Sequence, residues 1–277
     1  GLAGVYRTQG RYQEAEPLFQ KALTLAEKSF GPDDPQVSVV LNNFAVLCKF
    51  SGEFEKGERL YRRALAITEK AHGAEHPDAA TIYHNLGGLE HARGRFDQAE
   101  PYARRAVEIR EKALGPRHPD VAADVAAWAA ILDAQGRHDE AEPLYRRALD
   151  VFESLLGQEN HEVAVNLNNL AAMHYARGET LAAEAFYWWS VAVKEKLLGP
   201  NHPDVAMTLN NLAVLFNSQG KFDKAEPLYQ RALSIFEKAL GPAHPKIVAC
   251  RENYAELLRK TDREPEAEKP EAHARKV

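Results

Sequence analysis

Cysteine is nearly absent. Cys48 and Cys250 are the only two among 277 residues, which excludes a disulfide framework and any zinc site built from cysteines. No stretch approaches the ~18 consecutive apolar residues of a membrane span, so no membrane partner is expected. Positive charge is not in excess: 35 Lys and Arg against 40 Asp and Glu leave −5. Proteins that work by neutralising phosphates are usually basic, so nucleic acid is not an expected partner either. No Gly-rich phosphate loop, Ser/His/Asp set or HExxH is present, and no enzymatic activity, metal or cofactor is expected. Apolar residues make up 45 % and charged residues 27 %, an ordinary balance for a chain long enough to bury a large core. The first residue is Gly1, so a missing signal peptide says little about compartment. A cytoplasmic location is the working expectation.

What the chain does have is a period. Gly31, Gly73, Gly115, Gly157, Gly199 and Gly241 lie 42 residues apart, and so do Gly10, Gly52, Gly94, Gly136, Gly178 and Gly220. The two sets interleave every 21 residues. Pro35, Pro77, Pro119, Pro203 and Pro245 share another column, and Pro17, Pro101, Pro143 and Pro227 a fourth. Internal repetition of this kind signals a repeat architecture and overrides any count of domains from length.

Each 21-residue half reads as one helix and its loop. Apolar residues recur at helical spacing, as in Leu209, Leu212, Ala213, Leu215 and Phe216. The first helix of a repeat starts at His202-Pro203-Asp204 and its equivalents, where proline lacks an N–H that had no partner anyway and Asp complements the helix dipole. It ends near a glycine that supplies a left-handed residue. The second helix opens with Asp223-Lys224-Ala225-Glu226, and likewise at Asp97…Glu100 and Asp139…Glu142, which predicts a capping box. The following proline should remove about one hydrogen bond. Propeller blades share the period but need alternating strands, and none are visible.

Small residues separate the helical options. Gly220-x-Phe222-x-x-Ala225-x-x-x-Tyr229-x-x-Ala232 sets Ala where helices cross closely and an aromatic in the adjoining hole, and Gly10-Tyr12-Ala15-Phe19-Ala22 repeats it. This resembles the tetratricopeptide signature. With Leu-Asn-Asn-Leu-Ala, Glu-Ala-Glu-Pro-Leu-Tyr and Gly-Pro-x-His-Pro-Asp-Val, the 42-residue form is similar to the kinesin light chain repeat and to bacterial light-chain-like and nephrocystin-3-like proteins. The fold implied is all-α, a right-handed α-α superhelix of antiparallel helix pairs over residues 1–260. Full repeats are expected at 32–73, 74–115, 116–157, 158–199 and 200–241, after a partial repeat at 1–31. Gly1 aligns with Asn43, so the chain is expected to begin inside a first helix. A capping helix is expected at 242–260, with a charged, loosely held tail over 261–277.

The resemblance implies a peptide-binding groove lined by one face of the first helices, with Asn on the ligand backbone and basic side chains for its acidic residues. Shifting by 42 places Asn42, His84, Ala126, Asn168 and Asn210 in one column, Val46, Gly88, Ala130, Ala172 and Val214 in a second, and Arg7, Lys49, His91, Asp133, Tyr175 and Asn217 in a third. An amide offers two donors and an acceptor, so spaced asparagines can pair with an extended backbone whatever its sequence. The adjoining column, Asn43, Asn85, Asn169, Asn211 and Asn253, reads as structural, tying helix to loop. Arg7, Lys49, His84 and His91 suit acidic ligand residues. Ala123, Ala126, Ala130, Ala134, Ala172 and Ala176 leave room for a bulky apolar anchor walled by Tyr175, or merely allow tight packing.

The function expected is therefore a non-catalytic scaffold for an extended, acidic protein or peptide segment. Eleven histidines do not change this: His76, His118, His202 and His244 recur in inter-repeat loops, one repeat apart, and read as loop residues, capping among their roles. One departure suggests a second interface. Second helices carry Arg62-Arg63, Arg104-Arg105 and Arg146-Arg147, read as outward pairs, where the repeat at 158–199 has Trp188-Trp189. Outward rings would form an apolar patch suited to self-association as a homo-oligomer. Rings packed inward are the alternative.

Overall fold

The computed structural model describes residues 2–8, 10–240 and 244–267. Thirteen helices of seven residues or more follow one another among them, and no strand. First-type helices are α1 (Leu2–Thr8), α3 (Pro35–Ser51), α5 (Pro77–Ala92), α7 (Pro119–Ala134), α9 (His161–Ala176), α11 (Pro203–Ser218) and α13 (Pro245–Lys260). Second-type helices are α2 (Tyr12–Phe30), α4 (Phe54–His72), α6 (Phe96–Leu114), α8 (His138–Leu156), α10 (Thr180–Leu198) and α12 (Phe222–Ala239). From α1 to α7 and from α9 to α13, each helix packs against the next, as the all-α repeat reading expects. The chain forms two compact units, residues 1–147 and 148–277, with the division inside α8.

The loop histidines are caps. Nδ1 of His76, His118, His202 and His244 accepts the backbone N–H two residues on, at 3.1–3.2 Å, and Asp34 and Asn160 do the same at 2.8 Å. Each tie satisfies one of the unpaired N–H groups of a helix start. The expected capping box at the second helices is not formed: Arg95 and Lys221 stand at the caps with no side-chain bond. The reason is backbone closure. Gly220 takes φ 71°, and the Lys221 N–H reaches the Phe216 carbonyl at 2.9 Å, a Schellman-type bond. The helix then starts at Phe222, so Asp223 is its second residue and only complements the dipole.

Within the unit of residues 1–147, α3 pairs with α4 and α5 with α6. Ala15, Ala99 and Ala141 are fully buried, and the rings of Tyr61 and Tyr145 fill the adjoining holes. Gly57 takes the alanine position in its repeat, where an added Cβ would lie 3.2 Å from Cys48 Cβ and from Leu89 Cδ1. Within residues 148–277, α9 pairs with α10 and α11 with α12, around Ala183, Ala225, Tyr187 and Tyr229. Cys48 and Cys250 are buried free thiols, and burial raises the pKa of both. The 261–277 segment, expected to be loose, begins ordered. Residues 264–267 form a helical turn with Ala267 buried, and Arg263 reaches Glu226 at 2.8 Å. Residues 268–277 of the expected tail lie outside the described residues.

The second arginine of each basic pair is not simply outward. Arg63 reaches back one repeat to Glu27 Oε1 (2.6 Å) and the Pro32 carbonyl (3.1 Å). Arg147 does the same with Glu111 (2.9 Å) and Pro116 (3.2 Å), and Arg231 with Glu195 and Pro200. One guanidinium thus ties a helix to the carboxylate and loop of the repeat before it, with charge-assisted bonds.

Candidate functional site

In the unit of residues 1–147, the first-type helices lie side by side. Asn85 Nδ2 on α5 donates to Asn42 Oδ1 on α3 at 2.9 Å. In the unit of residues 148–277, Asn211 donates to Asn168 at 3.4 Å and Asn253 to Asn210 at 3.2 Å. The second asparagine column therefore ties its helix to the neighbouring amide rather than to a loop. Asn43, at the start of that column, turns back to its own helix at the Val39 carbonyl (2.9 Å) and is exposed. The ladder uses an acceptor of Asn42, Asn168 and Asn210 and leaves their amide N–H groups for other partners. All three are half-buried.

Asn42, Val46 and Lys49 are spaced i, i+4, i+7 along α3, and His84, Gly88 and His91 repeat that spacing on α5, so each trio shares one helix face. Lys49 Nζ lies 5.0 Å from the Phe50 ring centroid, and the Arg7 guanidinium carbon 5.8 Å from it. Burial, then the nearby Arg7, push the Lys49 pKa down. Burial, then Lys49, push that of His91 down. Lys49 is thus within electrostatic reach of basic groups in the repeats on either side, Arg7 and His91. Among the described residues neither Arg7 nor Lys49 has a carboxylate partner.

His84, Gly88, His91 and Ala130 line a cleft of about 130 Å³ with Ala103, Ala127 and Ile131. His84 is already paired, however. Its Nδ1 lies 2.7 Å from Asp124 Oδ1, and Asp124, 1 % exposed, also meets Arg110 Nε at 3.3 Å. His84 and Arg110 thus meet a buried carboxylate inside the protein. Asp133, in the third column, is held by His138 Nδ1 at 2.8 Å. Ala126 is half-buried on α7, as is Ala130.

In the unit of residues 148–277, Tyr175, Val214 and Asn217 come together around a second cleft, of about 140 Å³, completed by Ser218, Tyr229, Asn253, Glu256 and Lys260. Ala172 is half-buried one turn from Tyr175 on α9. Asn217, expected on an open wall, is 6 % exposed, and its Oδ1 is buried without a hydrogen-bond partner. A buried acceptor left unpaired costs about 1–3 kcal/mol.

The tryptophans face out. Trp188 is 43 % and Trp189 39 % exposed, and Leu181, Ala185 and Ala192 are exposed on the same helix, α10. Where other second helices mostly carry an acidic residue at the Leu181 position and basic ones at those of Trp188 and Trp189, α10 presents a stripe of apolar side chains. Trp189 also occupies the clamp position of Arg147 and Arg231. Its counterpart carboxylate, Glu153, keeps Oε1 buried with no partner, and burial, then Asp150, raise its pKa.

The tetratricopeptide repeat model matches residues 1–56, 46–112, 78–124, 121–196, 190–238 and 204–277. The chain belongs to the tetratricopeptide repeat family. Among solved structures, this tetratricopeptide chain is similar to BtubC (BKLC) from P. vanneervenii, at 27 % identity and a TM-score of 0.67, over 86 % of this chain and 93 % of that one. It is also similar to a putative kinesin light chain from Podospora anserina with nearly identical repeats, at 24 % identity and a TM-score of 0.60, over 73 % of this chain and 95 % of that one. A Rap protein complexed with competence and sporulation factor shares the fold, at 15 % identity and a TM-score of 0.61, over 93 % and 83 % of the two chains. No curated protein matches in sequence. No helix among the described residues is long and apolar enough to cross a membrane.

Proposed function

We propose that the repeats of residues 1–260 form a non-catalytic scaffold whose first-helix faces bind an extended protein segment carrying acidic residues. The observation that carries this reading is the amide ladder. It orients Asn42, Asn168 and Asn210 through their oxygens and leaves N–H donors for the carbonyls of a ligand backbone, a means of recognition indifferent to ligand sequence. The preference for acid rests on Arg7, Lys49 and His91, whose mutual repulsion an incoming carboxylate would relieve. A bulky apolar anchor fits beside Tyr175 and Val214. That the Rap structure is a complex with competence and sporulation factor supports the same reading. The test is binding of acidic, aromatic-containing peptides by fluorescence anisotropy. Asn168→Ala with Asn210→Ala should weaken binding at least tenfold, by loss of two hydrogen bonds at about 1 kcal/mol each. Unchanged affinity would remove the asparagines from the site.

A second reading, self-association through α10, is favoured by the exposed stripe of Leu181, Ala185, Trp188, Trp189 and Ala192. Sedimentation velocity tests it. Trp188→Arg with Trp189→Arg should dissolve any oligomer and leave peptide binding intact, and an oligomer that survives both substitutions refutes it.

A further inference from the structure

We propose a binding site for a divalent transition cation at the junction of α4 and α5, formed by His72, His76 and Asp78. These residues bring one ligand atom each within 4.8 Å of the others. Asp78 Oδ2 lies 3.2 Å from His72 Nδ1 and 3.3 Å from His76 Nδ1, and the two imidazole centroids are 4.6 Å apart. A tetrahedral zinc ion with bonds of about 2.0–2.1 Å sets its ligand atoms about 3.3 Å from one another. The carboxylate therefore already stands one tetrahedral edge from each ring nitrogen. Two imidazoles and one carboxylate suit zinc, copper or nickel better than calcium or magnesium, which prefer all-oxygen shells.

The constellation belongs to one repeat. Positions equivalent to His72 hold Phe30, Leu114, Leu156, Leu198 and Leu240, large apolar residues at the end of the second helix. His76 and Asp78 have counterparts in His118 and Asp120, or His202 and Asp204, but there the third ligand is leucine. His72 is the departure that completes the set. His76 Nδ1 also accepts the Asp78 N–H at 3.2 Å as a helix cap. Coordination through Nδ1 trades that bond for the metal, and the freed N–H sits in an exposed first turn where water can replace it. The His72, His76 and Asp78 side chains are 35 %, 42 % and 61 % exposed, so an ion enters from solvent. His72 and Asp78 also line a cleft of about 350 Å³ with Asn42 and Thr81. The fourth position of the ion opens to solvent on that side, for water or for a carboxylate of a bound segment.

The test is calorimetric titration of the whole chain with zinc ion in a non-coordinating buffer. One equivalent should bind to the wild type. His72→Leu restores the residue found in four other repeats, and His76→Asn keeps the cap, as Asn160 does for α9. Each should weaken zinc binding roughly tenfold or more, and Asp78→Asn should do the same. His118→Asn, at the equivalent loop without a third ligand, should leave it unchanged. Equal zinc affinity in the wild type and His72→Leu, or no bound equivalent in the wild type, overturns the site.

Discussion

Replacing Lys194 by Met should stabilise the protein at neutral pH. Lys194 is 1 % exposed between α10 and α11, and its ammonium meets one side-chain acceptor, Thr208 Oγ1 at 2.7 Å. Burial pushes its pKa down from the ordinary 10.5 to about 8. At about 1.4 kcal/mol per pH unit between those values, holding the charge at pH 7 costs the folded state about 3 kcal/mol relative to the unfolded chain. Methionine fills similar space without charge. Thr208 loses a donor worth about 1 kcal/mol but keeps its own bond to the Asp204 carbonyl at 3.3 Å. The net gain is then about 2 kcal/mol at pH 7. Its pH dependence is the sharper signature. Between pH 8 and 10.5 the unfolded chain holds the lysine proton and the folded one releases it, so wild-type stability rises with pH across that window. The variant lacks this rise, and its advantage should shrink steadily over the same window. Urea unfolding followed by circular dichroism at pH 7 and near pH 10 reads both effects. A lower midpoint for Lys194→Met at pH 7, or an advantage equal at both pH values, would refute the reasoning.

Trp189→Arg alone should supply the missing clamp, reaching Glu153 and the Gln158 carbonyl as Arg147 reaches Glu111 and Pro116. A gain of about 1–2 kcal/mol in thermal or urea unfolding is expected, with Trp188→Arg near neutral. Because burial and Lys49 hold the His91 pKa below its ordinary 6.5, a bound carboxylate should raise it. Affinity for an acidic peptide should then increase as pH falls from about 7 toward 5.5. His91→Asn should flatten that profile, and an unaltered profile would place His91 outside the contact.

The repeat fold was legible because 42-residue spacing aligns glycine, proline, alanine and the loop histidines into columns with one physical task each. Pro203 at the first helical position and His202 as cap could be read locally. The second-helix capping box was misread because Asp223…Glu226 has its composition, whereas the helix start is set by the Gly220 turn and a backbone bond five residues back. Interactions between repeats were hidden for a different reason. The Arg147–Glu111 tie spans 36 residues and the Asn253–Asn210 tie 43, so neither is visible from helical neighbours at three or four. Column comparison did hold a signal for the rest. Arg110 and Lys194 share one column with Ala26, Thr68, Phe152 and Phe236, and His72 alone breaks a column of Phe and Leu; the first two sit in buried polar pairs with Asp124 and Thr208, and His72 stands beside His76 and Asp78. Within the candidate site, spacing identified which residues share a face, but not that His84 is answered by Asp124 or that Asn217 is buried.

The most direct test of the central claim is an array of extended peptides, acidic and aromatic against basic and aromatic, probed with the wild type and with Lys49→Glu. Recognition by backbone-directed amides beside Arg7, Lys49 and His91 predicts that acidic peptides are retained by the wild type, that basic ones are not, and that Lys49→Glu loses the acidic set. Retention of basic peptides, or a pattern indifferent to Lys49→Glu, would contradict it.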